Sequence, residues 1–442
     1  MSTPDLLPSK KQFAFLATKR FLPLFGTQFF GALNDNLFKT TLFVLISFYG
    51  LGAHSWIPSS QMLNIGALLY ILPFFLFSAL SGEICNKFDK AIVARWIKVA
   101  EIVIMILAVI GFLHQTLSVL LLALFLMGVH STLFGPLKYS ILPEYLEGHE
   151  LLSGNSLIEC GTFLAILFGQ ILGTMLAGTH IFLLATILII IAVLGQISSI
   201  QMPRVPAQFP QQCIEPNIAR STLQLLRQTY QQKNVWMAIM GISWFWFLGS
   251  IYITQLPTFT RLHLGGNDQV FNLMLTLFSI GIGTGSILCA RISKHKLHLS
   301  LVAFGTVGLS LSGMLLVWLT SGANFIQIDN IFGFVARHNA FPIMLSIICI
   351  GFFGGFFSLP LYTWLQTAST DNFRSHAIAA NNIINGLFMV VASVMSVVLI
   401  WLFDNINALY FIVAAGNLPV LYYLSRNKEL RIDFMRFILR KQ

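Results

Sequence analysis

Apolar residues run along this chain in long blocks, with neither the strict alternation of strands nor the one-sided stripe of soluble helices. Blocks of about 18 residues or more, enough to cross a bilayer, occur at 21–50, 61–82, 92–113, 116–139, 153–177 and 180–201. They recur at 235–259, 269–291, 298–320, 341–366, 375–401 and 405–425. The pattern predicts an all-α integral membrane protein with twelve transmembrane helices. Most polar breaks are short. The longest, 203–233, is rich in Pro and Gln and parts six spans from six. The chain therefore divides into an N-terminal six-helix half (1–202), a linker (203–233), a C-terminal six-helix half (234–425) and a basic tail (426–442). Inside the linker, Leu223, Leu226 and Tyr230 share helical spacing and predict a helix on the membrane surface. A second long break, 321–340, carries Phe325, Ile328 and Phe332 and reads as a short interfacial element. In the tail, Leu430, Phe434, Phe437 and Ile438 suit another interfacial helix, and a solvated basic tail fits the same residues.

One block breaks the apolar rule. The first span holds Asn34-Asp35-Asn36 and Lys39 in its middle. At ~1.5 Å per residue, Asp35 lies roughly 20 Å in from Phe21, at or past mid-depth. An ionisable group there costs from a few to ten or more kcal/mol, so it normally faces the bundle interior or a water-filled cavity. Asp35 and Lys39 are spaced i,i+4 and share a helix face. Either the two neutralise each other and serve packing, or they mark a polar substrate or ion site at the midplane. The second is the expectation.

Composition narrows the class further. The chain is 56% hydrophobic and 10% charged, against about 25% charged in soluble domains. A net charge of +10 would suit nucleic acid, but its distribution does not. Basic residues gather at the N-terminus (Lys10, Lys11, Lys19, Arg20), around Lys87–Lys98, at Lys138, in the linker, at Arg291–Lys296, at Arg374 and in the tail. Arg261 and Arg337 alone fall on the other side, and Lys39 is intramembrane. That asymmetry places both termini in the cytoplasm. No nucleic-acid motif accompanies it. Cys85, Cys160, Cys213, Cys289 and Cys349 are scattered and odd in number, so they read as free thiols, not disulfides or metal ligands. The first span is too long for a cleavable signal and lacks a small-residue cleavage site, so it is expected to stay. There is no phosphate-binding glycine loop, no Gly-x-Ser-x-Gly and no metal-ligand cluster. A transporter is expected, without cofactor and driven by a gradient, not directly by ATP.

The halves echo each other. Gly135-Pro136-Leu137-Lys138-Tyr139 ends the fourth span as Leu359-Pro360-Leu361-Tyr362-Thr363 ends the tenth. Gly154-Asn155-Ser156-Leu157-Ile158-Glu159 then pairs with Ala380-Asn381-Asn382-Ile383-Ile384-Asn385. Six plus six spans with related halves is the layout of the major facilitator fold, whose substrate sites lie at the midplane. Gln28–Lys39 closely resembles the first-span signature of bacterial lysophospholipid transporters, above all the module found ahead of fused acyltransferase domains. Trp96-Ile97-Lys98-Val99-Ala100-Glu101-Ile102-Val103, Gly135–Glu144, Gly154–Glu159 and Gly354-Gly355-Phe356-Phe357-Ser358-Leu359-Pro360-Leu361 resemble the same group. By contrast, Gly82-Glu83-Ile84-Cys85-Asn86-Lys87 is a degenerate form of the general motif between spans two and three. Asn86 replaces the usual Asp there. With the chain ending at Gln442, no enzymatic domain is expected to follow.

The resemblance implies a lysophospholipid substrate, chiefly lysophosphatidylethanolamine, flipped across the bacterial inner membrane toward the cytoplasmic leaflet. Membrane lipids and a separate acyltransferase are the implied partners. A phosphoethanolamine head group needs both signs of charge. Asp35 takes the ammonium, flanked by Asn34 and Asn36, and Lys138 beside Tyr139 takes the phosphate as a point charge. Lys138 equally fits ordinary positive-inside placement. Lys39 either holds the phosphate or snorkels to the outer interface. Asn155 and Glu159 enter the fifth span; Glu159 is either protonated or paired with a Lys or Arg on a neighbouring helix, and serves either a gating or packing ion pair or direct substrate contact. Asn381, Asn382 and Asn385 offer amides from the eleventh span, for substrate or for helix–helix bonding. Glu101 is expected to pair locally with Lys98 near the inner interface, His130 to bond within the bundle in preference to carrying a proton, and Trp244, Trp246 and Gln255 to pack or line a cavity. Gly281–Gly285 and Gly351–Gly355 permit a lateral gate for the acyl chain or ordinary close packing. Other readings remain beside this one: the same fold with a drug, siderophore or peptidoglycan fragment as cargo, a membrane acyltransferase, and a non-transporting scaffold.

Overall fold

The structure, a computed structural model, describes residues 13–52, 59–207, 209–211, 213–294, 296–321, 330–403 and 405–427. The expectations placed on Phe325, Ile328 and the tail 428–441 lie outside them. Every regular element among the described residues is helical. After a 3-10 turn at Ala14–Ala17, these are in chain order α1 (Leu22–Phe48), α2 (Ser59–Lys87), α3 (Lys90–Leu113), α4 (Leu117–Ser140), α5 (Leu142–Tyr145), α6 (Leu151–Leu176), α7 (Ile181–Ile200) and α8 (Ile218–Gln231). They continue as α9 (Lys233–His263), α10 (Asp268–Ile292), α11 (Ser300–Thr320), α12 (Ile331–Val335), α13 (Ala340–Ala368), α14 (Arg374–Phe403) and α15 (Ile406–Ser425). Eleven are long and apolar enough to cross a membrane. The 27-residue α1 has the length but carries the Asn34–Lys39 polar block. Local chemistry explains several starts. Asp89 accepts from the Ala91 and Ile92 amides to cap α3, and Asn217, Asn267 and Asn405 cap α8, α10 and α15 in the same way.

The helices form two compact units. The first comprises Met1–Gly154, Leu164–Gln232 and Gln366–Ile383; the second comprises Asn155–Phe163, Lys233–Leu365 and Ile384–Gln442. In the first, α2 packs on α4, α1 on α7, and α3 on both α4 and α7. Leu37, Phe38, Leu42, Met105, Ala108, Leu124, Met127 and Leu188 make its apolar centre. With lipid as apolar as Leu, close packing replaces the hydrophobic effect as the driving force, and small residues set it. Gly169 and Gly173 of α6 form such a pair against α1. A Cβ at Gly169 would lie 2.7 Å from the Leu33 carbonyl oxygen, and one at Gly173 would lie 2.9 Å from that of Leu37. Thr41 Oγ1 donates to the Gly173 carbonyl at 3.2 Å across the same seam. Gly128 of α4 likewise abuts the Tyr70 carbonyl of α2. These contacts seat the polar stretch of α1.

The linker is tied to the first unit. Arg95 donates to the Met202 carbonyl (2.9 Å), Tyr145 to that of Pro203 (2.6 Å), and the Phe209 amide to the Asn86 carbonyl (3.0 Å). Glu83 accepts from the Glu215 amide at 3.0 Å and from Ser221 Oγ at 2.8 Å. α8 therefore buries Ser221, Leu225 and Thr229 toward α2, leaving Leu223 and Tyr230 exposed. Asn86, at the position where the degenerate motif lost its Asp, donates to the Asn372 carbonyl (3.1 Å) and lies 2.7 Å from His376 Nδ1. A neutral contact thus stands at the position where the general motif carries its Asp.

In the second unit α11 packs on α15, and α9 on α10 and α15. Gly281 and Gly285 of α10 interlock with Gly351 and Gly355 of α13. A Cβ at Gly355 would sit 2.6 Å from the Ser286 amide nitrogen and 2.7 Å from the Ile282 carbonyl oxygen. Here these glycines close two backbones together. Phe163 lies edge-on to Phe245 and stacks on Trp246, whose Nε1 donates to Tyr362 Oη at 2.7 Å. Replacing Gly169 by Val should force α6 off α1 and destabilise by about 1–3 kcal/mol, measured as a lower melting temperature in detergent. Gly148, with open space around it, should accept Ala with no measurable shift.

Candidate functional site

Asp35 sits in the middle of α1, 7% exposed. The Tyr70 hydroxyl of α2 donates to its Oδ2, and Ser131 Oγ of α4 donates to the same oxygen at 3.2 Å. Its Oδ1 is buried with no partner among the described residues. Lys39 does not reach it as an ion pair; its Nζ lies instead 4.8 Å from the Tyr70 ring centroid, a cation–π contact. Tyr70, placed between them, engages each one separately. Asn36 turns back on its own helix and donates to the Ala32 carbonyl at 2.8 Å.

Directly beside Asp35 lies a second buried cluster. Lys98 and Glu101 are both fully buried, with Nζ 2.5 Å from Oε2. Asn34 Nδ2 donates to Glu101 Oε1 at 3.0 Å, and His130 Nε2 lies 3.1 Å from Oε2. Gly31 makes room for the Lys98 ammonium, which also lies 5.4 Å from the Phe134 ring centroid. The pair is local, as expected, and is fully buried among the helices. Consecutive residues are thus divided between the clusters. Asn34 and His130 serve Glu101, while Asp35 and Ser131 meet each other.

The α4 helix extends the site. Ser131, Gly135 and Lys138 share one face at i, i+4 and i+7, with Ser131 and Lys138 about 10 Å apart along the axis. Gly135 leaves space for Asn382, whose buried Nδ2 has no partner among the described residues. Asn381 Oδ1 is likewise unpartnered there. Lys138 is half-buried, its Nζ 5.0 Å from the Tyr139 ring centroid, and the Tyr139 carbonyl accepts from Gln366 at 3.0 Å. The α4 face of the first unit thus carries a half-buried hydroxyl and a base, with the Asp35 carboxyl of α1 at Ser131 and the Asn382 amide of α14 at Gly135. That order suits a zwitterion whose cationic and anionic ends are bound apart.

The other expected residues fall in the second unit. Asn155 Nδ2 donates to Thr363 Oγ1 at 3.2 Å, and Asn385 Oδ1 accepts from Ser243 at 2.8 Å. Trp244 donates to Asn417 Oδ1 at 2.8 Å. Glu159 corrects the ion-pair expectation. Its carboxyl is 5% exposed and bonded to the hydroxyls of Ser286 (3.0 Å) and Ser358, with no Lys or Arg paired to it among the described residues. The physical reason is composition: α9, α10 and α13 carry Lys and Arg only near their ends, at Lys233, Arg261 and Arg291. Tyr70 and Ser131 went unseen in the sequence because a lone hydroxyl in an apolar span carries no pattern. His130, next to Ser131, was the available hint. No group of His, Cys, Asp and Glu able to hold a metal occurs among the described residues.

Comparison with known proteins follows the fold closely. The Major Facilitator Superfamily model matches residues 24–393. The chain is 26% identical over 378 residues to a protein named lysophospholipid transporter LplT from Klebsiella pneumoniae subsp. pneumoniae, covering 84% of each. It is 27% identical over 365 residues to the protein of that name from Escherichia coli (strain K12 / DH10B), covering 80% of this chain and 82% of the relative. Among solved structures, the human organic anion transporter MFSD10 superposes with a TM-score of 0.74 at 13% identity, over 95% of this chain and 100% of that one. A bacterial homologue of the iron transporter ferroportin, in an outward-facing state, gives 0.64 at 14% identity, over 93% and 98%. At those identities the structures speak to fold alone.

The Lys98–Glu101 pair makes a sharp stability test. Glu101→Leu alone strands a buried ammonium and should cost about 3–5 kcal/mol, whereas Lys98→Met with Glu101→Leu should recover most of the loss. Thermal unfolding of the purified variants measures both. A double variant no better than the single would remove the pair from the account of this core.

Proposed function

The chain belongs to the major facilitator superfamily, and from that premise we propose that it is a secondary transporter of lysophospholipids. The observation that carries this reading is the polar face of α4 in the first unit. Asp35 of α1, steadied by Tyr70 and Ser131, keeps one carboxylate oxygen open, and on α4 Lys138 lies two turns from Ser131 on the same face. An ammonium at Asp35 and a phosphate toward Lys138, with the Asn382 amide between, accounts for these residues as a phosphoethanolamine site. Relatives named lysophospholipid transporters, alike over four fifths of the chain or more, support the cargo.

Lysophosphatidylethanolamine is the favoured head group because the site presents both signs of charge. Transport runs toward the cytoplasmic leaflet of the bacterial inner membrane, with both termini cytoplasmic, and a separate acyltransferase restores the second acyl chain. Lys39, cradled on Tyr70, guides the phosphate on entry.

Uptake of labelled lysophosphatidylethanolamine into spheroplasts expressing the chain tests this. Wild type should take it up. Asp35→Asn and Lys138→Ala, at equal expression, should each lose roughly tenfold or more, the scale of one charge-assisted contact of 1.5–3 kcal/mol. Tyr70→Phe should fall between. A folded, well-expressed wild type that moves none would turn the reading to another amphipathic cargo. Uptake indifferent to both charge changes would keep the cargo and discard the site.

A further inference from the structure

Lys98 and Glu101 stand about one turn apart on α3 and reach three other helices. The Lys98 ammonium fills the space left by Gly31 of α1 and lies 5.4 Å from the Phe134 ring centroid of α4, while its shaft passes Gly195 of α7. Glu101 uses both carboxylate oxygens. Oε1 accepts from Asn34 Nδ2 of α1 at 3.0 Å. Oε2 meets Lys98 Nζ at 2.5 Å and lies 3.1 Å from His130 Nε2 of α4. One buried carboxylate thus touches α1 and α4 at once.

The two residues it touches are chain neighbours of the Asp35 site. Asn34 precedes Asp35, and His130 precedes Ser131. Successive residues of an α-helix point about 100° apart. Holding Asn34 toward α3 therefore fixes the heading of Asp35 on the next face of α1, and holding His130 does the same for Ser131 on α4. With both helices tied to one carboxylate, the two headings meet. Ser131 Oγ donates to Asp35 Oδ2 at 3.2 Å, and the Tyr70 hydroxyl of α2 donates to the same oxygen. That shared use of Oδ2 leaves Oδ1 without a partner among the described residues.

Two opposite charges are a poor way merely to fill this space, because apolar residues of similar volume are often as stable or more so. What the charges add is direction. A carboxylate accepts along its lone pairs and Asn34 donates along an N–H bond, so their contact resists rotation of α1 about its own axis. A leucine in place of Glu101 would pack against α1 at many rotations and select none of them.

We propose that Glu101, held by Lys98, is a positioning residue for the Asp35 site: its bond to Asn34 and its contact with His130 set the register of α1 against α4, and so aim Asp35 Oδ1 at the cationic end of the ligand. What the pair stabilises is this one register. Lys98 and Glu101 are both fully buried, so neither touches the ligand itself. The register is a property of the first unit alone, whereas its effect on binding rests on the lysophospholipid reading.

Variants of the full chain separate grip from charge. Lys98→Met with Glu101→Leu removes both the charges and the hold on Asn34. Lys98→Met with Glu101→Gln removes the charges but keeps an acceptor for Asn34. Asn34→Leu keeps the pair and removes the hold. In uptake of labelled lysophosphatidylethanolamine, the Leu double variant and Asn34→Leu should each raise the half-saturating concentration about fivefold, the scale of one lost hydrogen bond. Their maximal rates should stay within about twofold of wild type. The Gln double variant should match wild type within about twofold in both quantities. Half-saturation unchanged in the Leu double variant would overturn the proposal. Equal loss in the two double variants would overturn it too, because charge and not the hold on Asn34 would then set affinity.

A second readout needs no cargo. In purified protein with aspartate isotope-labelled at its side-chain carboxyl carbon, the infrared band of Asp35 is the one lost in Asp35→Asn. That band should move in the Leu double variant and in Asn34→Leu, where the bonds from Tyr70 and Ser131 are disturbed, and should hold its frequency in the Gln double variant. A band that stays in place in Asn34→Leu would overturn the register. Should the Leu double variant fail to fold, Asn34→Leu and the Gln double variant carry the comparison. No uptake by wild type would count against the cargo alone, and the band would still decide the register.

Discussion

Hydrocarbon does not forgive an unanswered charge, and the interior of this protein is arranged around that fact. Three solutions appear. Lys98 and Glu101 neutralise each other with Asn34 and His130 gathered round them. Asp35 is held by two hydroxyls on one oxygen and left open on the other, with Lys39 parked over the intervening ring. Glu159 has two serines and no cation among the described residues. Each solution leaves a different capacity behind. A closed ion pair can only stabilise. An acid with a free oxygen can accept a cationic ligand, and an acid held by two hydroxyls is bound to no fixed cation among the described residues.

Glycine makes these arrangements possible. The α1 polar stretch can be deep in the bundle only because Gly169 and Gly173 let α6 ride against its backbone, and because Gly31 leaves room for the Lys98 ammonium. Gly128 brings the Tyr70 turn of α2 within reach of α4, which is what lets one carboxylate meet a tyrosine and a serine from two helices. Without a hydrophobic drive between helices in lipid, such close approach is where the packing energy comes from. The polar site and the packing seam are therefore the same place.

Much of this was legible in the chain. Twelve apolar blocks, the mid-chain break and the Asn34-Asp35-Asn36 interruption are first-order features of hydropathy, and the long helices follow them closely. Site partners were harder. Asp35 stood out because it violates its surroundings, whereas Tyr70 and Ser131 do not violate theirs. Glu159 was visible, but its neighbours were not. Ser286 and Ser358 lie far along the sequence, on helices whose serines look like any others. A cation was expected for Glu159 by analogy with most buried acids, and the spans packed against it simply contain none in mid-helix. Asn86 shows the converse: a substitution read as a loss carries its own bonds to Asn372 and His376.

The linker has a mechanical meaning of its own. Counted in residues it looks like generous slack, yet from Met202 to Ser221 it is pinned at intervals to Arg95, Tyr145, Asn86 and Glu83, and α8 then lies along α2. α8 ends at Gln231 and α9 begins at Lys233. The linker is thus fastened along the first unit up to the residue before α9, and little of its length is slack.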